Sequence, residues 1–397
     1  AAHQAGEPLA RFSKGRVDPW FLVDWLIHEG AAETAVAFAA AIERADIGAL
    51  RRYAEVGAEV PDHRARREAV RKAGRLLEQG DADAVIAMAP EIEADHEDLA
   101  AVGAMQMLGD AHAKKRQWTA AADRWIEGAQ RADRLGVSIL AAKLGASGAW
   151  MAARSGRPEL ALEVYGRALD SAKAAKDGNQ TARVLINRAI AYAAVGRLEE
   201  AAAGYAEGAR VAHDAGNFMF EGNALGNLGN LYFDMGDTER AREFQGQALA
   251  IRERIGDDVG AAYSLNSLSA ILLGEGRLEE GLDAIGRARG HIDREHPFDI
   301  VLLRRLGEIE RDLGRPKDAV RHMREALEGA ERLRNGHEVV NTLFALSRLH
   351  GDVAEYADAM RTAERGIDIA RQINAIQQLA AGLIDFGQLT FSMGDLD

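Results

Sequence analysis

The sequence predicts an all-α fold in which antiparallel helix pairs stack one on another into a solenoid. Three observations predict this fold class. Hydrophobic residues make up 47% of the chain and charged residues 28%, with only 7 prolines, which is a balance typical of helices. Short turns recur at a period of about 40 residues. Small residues stand at fixed distances from those turns, as close helix packing requires.

Glycine-containing dipeptides mark most of the predicted turns between the two helices of a pair. The turns fall at Gly80, Gly156, Gly196, Gly236, Gly276, Gly314 and Gly394. Arg116 and Ala354 occupy the same register without a glycine, and this departure predicts looser packing there. A register kept over so many units indicates a true repeat rather than accidental spacing.

Side-chain size follows the same register. Seven residues before each turn stand Gly109, Ala149, Ala189, Gly229, Ser269, Gly307, Ser347 and Gly387, and five residues after it stand Ala121, Ala161, Ala201, Ala241, Gly281, Ala319 and Ala359. Larger residues, such as Leu228 before a turn and Trp125 or Tyr165 after one, lie between them. Small residues let two helices approach closely, and the large ones fill the remaining space. The second helices are predicted to end near Gly136, Gly216, Gly256 and Gly336.

The register divides the chain into three regions. Residues 1–60 are predicted to form an N-terminal helical cap, in which Pro19 opens a short aromatic helix containing Trp20 and Trp25. Residues 61–98 have the pattern of a degenerate helix pair whose second helix Pro90 kinks or ends. Residues 99–397 are predicted to form the solenoid and to end in an incomplete repeat. Because the chain lacks an initial Met and stops within a turn, we expect it to be a fragment of a longer protein.

The run Leu228-Gly229-Asn230-Leu231-Tyr232, followed by Gly236, Ala241 and Ala248, resembles the tetratricopeptide repeat. The long period resembles the variant found in kinesin light chains and in LGN/Pins-type adaptors. The resemblance extends from about Leu99 to the C terminus. It implies a right-handed superhelix whose concave face, formed by the first helices, binds a protein or peptide.

Polar residues recur on that face of the first helices. Nine residues before successive turns stand Ser147, Asn187, Asn227, Ser267 and Arg305. Asn is a poor helix former, so its recurrence needs a reason. Either these amides hydrogen-bond a bound peptide, or they bond to neighbouring helices and solvate the face. The predicted peptide-binding residues are Lys143, Ser147, Trp150, Arg183, Asn187, Asn223, Asn227, Asn230, Tyr263, Asn266, Arg304, Arg305, Asn341, Phe344 and Arg348.

The charges and aromatic rings in this set predict the ligand's chemistry. Its lysine and arginines indicate a locally basic groove in a chain of net charge −13, which favours a ligand with acidic groups. The alternative is that long arginine side chains only solvate exposed faces. Trp150, Tyr263 and Phe344 are predicted either to anchor apolar ligand side chains or to pack within the fold.

Several function classes are not favoured by the sequence. The acidic balance argues against nucleic acid, and the lack of cysteine excludes disulfides and thiolate sites within this chain. No apolar run is long enough to predict a membrane span, so a soluble, cytoplasmic protein is expected. Its 11 histidines are scattered, and the acidic run from Glu91 to Asp98 has the pattern of a solvated loop. We therefore predict no catalytic residue, metal or cofactor.

The leading hypothesis is a non-catalytic protein- or peptide-binding repeat module, acting as an adaptor or regulatory arm. A second hypothesis is that the chain is the sensor or autoinhibitory region of a larger signalling protein or enzyme. A third is a self-assembling scaffold that associates through its terminal units, including the helix that contains Trp20 and Trp25.

Overall fold

A computed structural model describes residues 61–92 and 99–392, and every regular element within those ranges is an α-helix. The prediction of an all-α fold is therefore confirmed. The predicted N-terminal cap with Trp20 and Trp25, the acidic residues 93–98 and the turn at Gly394 lie outside the described residues.

The chain divides into two compact units, residues 1–220 and 221–397. The described helices of the first unit are α1 (Pro61–Glu78), α2 (Ala82–Ala87), α3 (Ala89–Ile92), α4 (Leu99–Lys114), α5 (Trp118–Arg134), α6 (Ser138–Arg154), α7 (Pro158–Ala174), α8 (Gly178–Ala194) and α9 (Leu198–Asp214). Helix α10 (Phe218–Asp234) begins at the boundary. The second unit continues with α11 (Thr238–Ile255), α12 (Asp258–Gly274), α13 (Leu278–Gly290), α14 (Pro297–Asp312), α15 (Pro316–Arg332), α16 (Gly336–Asp352), α17 (Tyr356–Gln372) and α18 (Ile376–Ser392).

The turns between paired helices are short and left-handed at their central residue. Gly156 and Gly236 have φ of 80° and 81°, where glycine meets no Cβ penalty. Arg116 and Ala354 adopt the same turn with φ of 58° and 62°. The turn therefore forms without glycine. Its central Arg or Ala residue instead adopts a left-handed backbone conformation that is strained for a residue with a Cβ atom.

The turns that lead from one pair to the next use the same geometry. Gly136, Gly216 and Gly256 have positive φ, as predicted. The prediction for Gly336 is wrong, because Arg334 occupies the left-handed position with φ of 52° and Gly336 begins α16. The Asn335 side chain caps that helix by accepting a hydrogen bond from the backbone N–H of Glu338 at 3.3 Å.

Replacing Ala354 by Gly is expected to raise the free energy of unfolding by roughly 0.5–1 kcal/mol, because the strained φ is relieved at some cost in unfolded-state entropy. Urea denaturation followed by circular dichroism measures this change. The reverse substitution Gly196→Ala, at φ of 78°, is expected to lower stability. A lower urea midpoint for Ala354→Gly would contradict the strain argument.

The degenerate pair at the start of the described chain has an interrupted second helix. Helix α2 ends at Ala87, and the four-residue α3 contains Pro90, whose missing N–H cannot continue the helical ladder. Val85 and Ile92 are nevertheless fully buried, and they pack with Val70 of α1 and with α4 in one apolar cluster. The degenerate helix pair therefore covers apolar side chains of α4.

The size rule around the turns reflects close contact between paired helices. A Cβ on Gly109 would lie 2.5 Å from the Trp125 ring, and one on Gly307 would lie 2.9 Å from Cγ of Met323. Trp125 and Met323 are buried. Each large side chain of a second helix thus occupies space that a glycine of the first helix leaves open.

Candidate functional site

In the first unit, one cleft brings together four of the predicted binding residues. The cleft lies among α5, α6 and α8 and has a volume of about 250 Å³. Its lining consists of Trp125, Ala146, Ser147, Trp150, Met151, Arg183 and Asn187. Lys143 is exposed one helical turn before Ser147 and is outside this lining.

Arg183 supplies the charge of this first-unit cleft. Its side chain is half-buried, its Nε is buried without a hydrogen-bond partner, and no described carboxylate forms an ion pair with it. Burial lowers the pKa of Arg183, and the nearby Asp177 and Tyr165 oppose that shift. Since a guanidinium stays protonated in proteins, the cleft contains a partly desolvated cation that lacks an anionic partner.

The Tyr165 hydroxyl is a second polar group near this cation. Tyr165 is fully buried in α7, and its oxygen has no hydrogen-bond partner among the described residues. Burial raises the pKa of Tyr165 well above its ordinary value, while Arg183 acts in the opposite direction. The hydroxyl is therefore neutral and supplies no negative charge to Arg183.

Trp125 and Met151 line the cleft although they were not among the predicted binding residues. The size rule assigned Trp125 to helix packing, and it does pack against Gly109. Its Nε1 donates a hydrogen bond to Oδ1 of Asp110 at 3.0 Å, which fixes the ring at the cleft. Tyrosines stand at the equivalent positions of the next two repeats. The larger side chain of Trp125 is therefore the sequence signal that indicates a second role, in lining the cleft.

Replacing Asp110 by Asn is expected to stabilise the protein at pH 7. Burial raises the pKa of Asp110 above its ordinary value of 3.8, whereas the Trp125 hydrogen bond and Lys114 lower it. A carboxyl whose pKa is raised in the folded state destabilises the fold once it ionises. The gain in stability of Asp110→Asn over the wild type should therefore shrink as the pH falls toward 3.8. Urea midpoints of both proteins across that range measure the effect. A difference that does not change with pH would contradict it.

In the second unit, two of the predicted asparagines form hydrogen bonds with neighbouring helices. Oδ1 of Asn223 accepts a hydrogen bond from Nη2 of Arg252 at 3.1 Å, and Oδ1 of Asn230 accepts one from Nε2 of Gln245 at 2.7 Å. The structural alternative therefore describes these two residues. Asn230 is also exposed, so its amide nitrogen remains accessible to a ligand.

Three other asparagines of the second unit are half-buried and less engaged. The carbonyl oxygen of Asn266 is buried without a hydrogen-bond partner. Asn227 and Asn341 form no side-chain hydrogen bond with another described residue. These amides remain candidates for ligand contact.

The basic residues of the second unit are neutralised within the fold. Arg304 and Arg305 each lie 3.1 Å from a carboxylate oxygen of Glu308, and Arg348 lies 3.0 Å from Asp385. Arg304 also lies 3.9 Å from a carboxylate oxygen of Glu338. The prediction of a locally basic surface is therefore wrong for these three arginines, because Glu308, Glu338 and Asp385 together balance their charge.

The aromatic residues of the second unit have different environments. Tyr263 is 48% exposed, and its ring centroid lies 4.0 Å from that of Phe298. Phe344 is only 5% exposed and packs in an apolar cluster with Val340 and Ile367. The packing alternative therefore describes Phe344, and its prediction as a ligand anchor is wrong.

Among the described residues, His350, Glu355 and Asp358 form a group with metal-ligand side chains. Nδ1 of His350 and Oε2 of Glu355 are already hydrogen-bonded at 2.6 Å, and Asp358 is paired with Arg361. His112 makes the same contact with Gln117 at 2.6 Å, across an equivalent turn. The arrangement is thus explained by hydrogen bonding across the turn.

Comparison with known families decides what kind of repeat this is. The family model described as tetratricopeptide repeat matches residues 220–289 and 299–372. Both of these segments are tetratricopeptide repeats. The predicted resemblance is confirmed, and the tetratricopeptide repeats have the long period seen throughout the described helices. No curated protein sequence matches the chain.

Solved structures with a similar fold include a protein described as having a tetratricopeptide repeat sensor. The apo form of the quorum sensor NprR from B. thuringiensis is similar with a TM-score of 0.59 and 16% identity, covering 83% of this chain and 95% of that one. A signal transduction ATPase with a tetratricopeptide repeat sensor from Pyrococcus horikoshii gives 0.55 and 14%, covering 87% and 52%. The apo form of RapI gives 0.54 and 12%, covering 69% and 99%. At such identities the likeness concerns the fold.

None of the described helices combines the length and the apolar character needed to cross a bilayer.

Proposed function

We propose that the chain is a non-catalytic protein- or peptide-binding module whose first-unit cleft binds an acidic side chain of a partner. The observation that carries the proposal is Arg183, a half-buried guanidinium without an ion-pair partner among the described residues. A ligand carboxylate would supply the missing anion.

The other cleft residues suit the flanks of such a ligand. The hydroxyl of Ser147 and the amide of Asn187 can donate hydrogen bonds to the same carboxylate or to the adjacent peptide group. Trp150 and Met151 offer apolar surface to a neighbouring side chain. Together they favour a segment with an acidic residue beside an apolar one.

Arg183→Gln is expected to weaken binding of such a segment by roughly 10- to 100-fold, since hydrogen bonds to a charged group contribute about 1.5–3 kcal/mol each. Peptides selected from a random display library on the purified chain, and then titrated by fluorescence polarisation, provide the measurement. Arg210→Gln is the matched control, because Arg210 is 61% exposed on α9 and pairs with Glu207 and Asp214.

Two outcomes would reject the cleft as the binding site. One is a set of selected peptides whose affinity Arg183→Gln leaves unchanged. The other is a selected set without acidic residues. Thermal melts of each variant separate a lost site from a lost fold.

In the second unit, we infer that Asn227, Asn266 and Asn341 contact the backbone of the bound polypeptide. Their amides can both donate and accept, which matches a peptide group, and no described partner engages the Asn266 oxygen. Tyr263 offers an exposed ring to an apolar side chain. This part of the interaction is uncharged, because Glu308, Glu338 and Asp385 neutralise the adjacent arginines.

A second candidate function is that of a sensor region within a larger signalling protein. Two proteins of similar fold are described as a quorum sensor and as an ATPase with a tetratricopeptide repeat sensor, which favours this reading. The coding sequence downstream of Asp397 tests it. Continuation into an ATPase, protease or kinase domain would support the sensor role, and an immediate stop codon would reject it.

A further inference from the structure

The exposed side of α18 carries an apolar stripe. Its members are spaced four, three, one, three and four residues apart and therefore share one side of the helix: Ile376, Ala380, Leu383, Ile384, Gly387 and Phe391. All of them are exposed, and the four large side chains are between 45% and 70% exposed. A contiguous apolar surface of this kind is typical of an interaction site.

The same positions belong to the core in the other repeats. The leucines in the register of Leu383 are buried in their first helices: Leu185, Leu225, Leu265, Leu303 and Leu343. Gly387 is in the register of Gly307, where a Cβ would lie 2.9 Å from Cγ of Met323 in the paired second helix. A Cβ on Gly387 would meet no atom within 4 Å. The stripe thus has the pattern of a face that receives an antiparallel helix.

The stripe is symmetric about the midpoint between Leu383 and Ile384. When two copies of α18 pack antiparallel around a two-fold axis at that midpoint, residues equally far from it lie opposite each other. Each pair takes one residue from each copy: Leu383 with Ile384, Ile376 with Phe391, and Ala380 with Gly387. Large side chains therefore meet large ones, and the small pair lets the helices approach closely.

Charge does not oppose this pairing. Asp385 is the single charged residue of α18, and it lies off the stripe, 3.0 Å from Arg348 of α16. The whole chain has a net charge of −13, so most contacts between two copies would bring like charges together. The stripe is a surface on which two copies can meet without that repulsion.

The area of the stripe suits a weak dimer. At roughly 200 Å² for a fully exposed large apolar residue, the four large side chains of two copies present about 1,000 Å². Specific interfaces begin at about that area, and the smallest of them are transient.

We propose that α18 is a self-association surface, on which a second copy of this chain packs its own α18 antiparallel around a two-fold axis. The second copy takes the place that a paired second helix takes in the other repeats. The register, the area and the lack of charge on the stripe all fit this occupant.

Sedimentation velocity of the full chain over a concentration series measures the association. A monomer–dimer equilibrium is expected, with a dissociation constant on the order of 10 µM. Ile384→Glu should raise that constant at least roughly 100-fold, because it places two carboxylates in the apolar interface beside the two-fold axis. Since Ile384 is 63% exposed, its variant should keep the wild-type melting midpoint by circular dichroism.

Control variants separate the stripe from other surfaces. Met219→Glu changes a comparably exposed apolar residue of α10, and Ala381→Glu changes an exposed residue of α18 outside the stripe. Both should leave the dissociation constant unchanged. Arg183→Gln should also leave it unchanged, so failure of the proposed binding cleft would not be confused with failure here.

Cross-linking tests the antiparallel direction, because the chain contains no cysteine of its own. A mixture of Ile376→Cys and Phe391→Cys proteins should be joined by a short bismaleimide, since the two positions face each other. Ile376→Cys alone should not be joined, since its two copies would lie roughly 22 Å apart along the helix axis.

Three outcomes overturn the proposal. One is a chain that stays monomeric at its highest soluble concentration, which would leave the stripe to a different helix. The others are undiminished dimerisation of Ile384→Glu and cross-linking of Ile376→Cys with itself as readily as in the mixture.

Discussion

Replacing Arg252 by Ala is expected to lower the free energy of unfolding of the second unit by about 3 kcal/mol. Arg252 is 8% exposed in α11, and its guanidinium joins three elements. Nη1 donates to Oγ of Ser264 at 2.7 Å and to the carbonyl of Gly260 at 3.2 Å, and Nη2 donates to Asn223 at 3.1 Å. Alanine would leave these acceptors unpaired and would open a cavity between α10, α11 and α12.

Small residues in α10 make this buried arginine necessary for packing. A Cβ on Gly222 would lie 3.4 Å from Cγ of Arg252, and one on Gly226 would lie 3.2 Å from its Nη2. Burial also lowers the pKa of Arg252, which Asp257 opposes, so part of the contact energy offsets the desolvation of the cation. Packing and hydrogen bonds must together exceed that cost.

Methionine separates the two contributions in the Arg252 experiment. Arg252→Met refills much of the volume without charge, so its loss should be roughly half that of Arg252→Ala. Arg254→Met, two residues along on the exposed side of α11, should change stability by less than about 0.5 kcal/mol. Guanidinium denaturation followed by circular dichroism measures all three. A wild-type midpoint for Arg252→Met would show that the cation contributes no net stability.

The fold could be predicted from the sequence because its signals are local. A left-handed turn selects glycine, and close helix approach selects small residues, so both leave a mark at a fixed register. Gly336 does not take the left-handed position, because the turn before α16 keeps the 20-residue spacing from Gly314 and therefore places Arg334 there. A turn can accept a non-glycine residue when packing on both sides holds it.

The candidate site could be predicted only in part, because pairing of charges depends on contacts between repeats. Arg252 lies among charged neighbours at the end of α11 and has the pattern of an exposed helix terminus, yet it is buried. Asp385, which neutralises Arg348, follows it by 37 residues. The sequence could have indicated this pair, because a carboxylate lies about one repeat period after the arginine, at the corresponding part of the next first helix.

Replacing Phe344 by Ala is expected to lower the free energy of unfolding by about 3–5 kcal/mol, which is the usual loss for a buried phenylalanine. Its ring fits against two glycines, since a Cβ on Gly366 would lie 2.7 Å from the ring and one on Gly382 would lie 2.1 Å from it. No residue can move into the space that the ring leaves without shifting α17 or α18. The loss should therefore lie toward the upper end of the range.

Tyr263→Ala is the matched comparison, because Tyr263 was predicted to share the same role but is 48% exposed. Its removal should cost less than about 1 kcal/mol, mainly through the lost contact with Phe298. Partner affinity should fall for Tyr263→Ala while its melting midpoint is nearly unchanged, whereas Phe344→Ala should shift the midpoint first. Equal stability of the two variants would contradict the assignment of Phe344 to the core and would again make it a candidate for ligand contact. It would also show that the glycine-lined pocket can close without the ring.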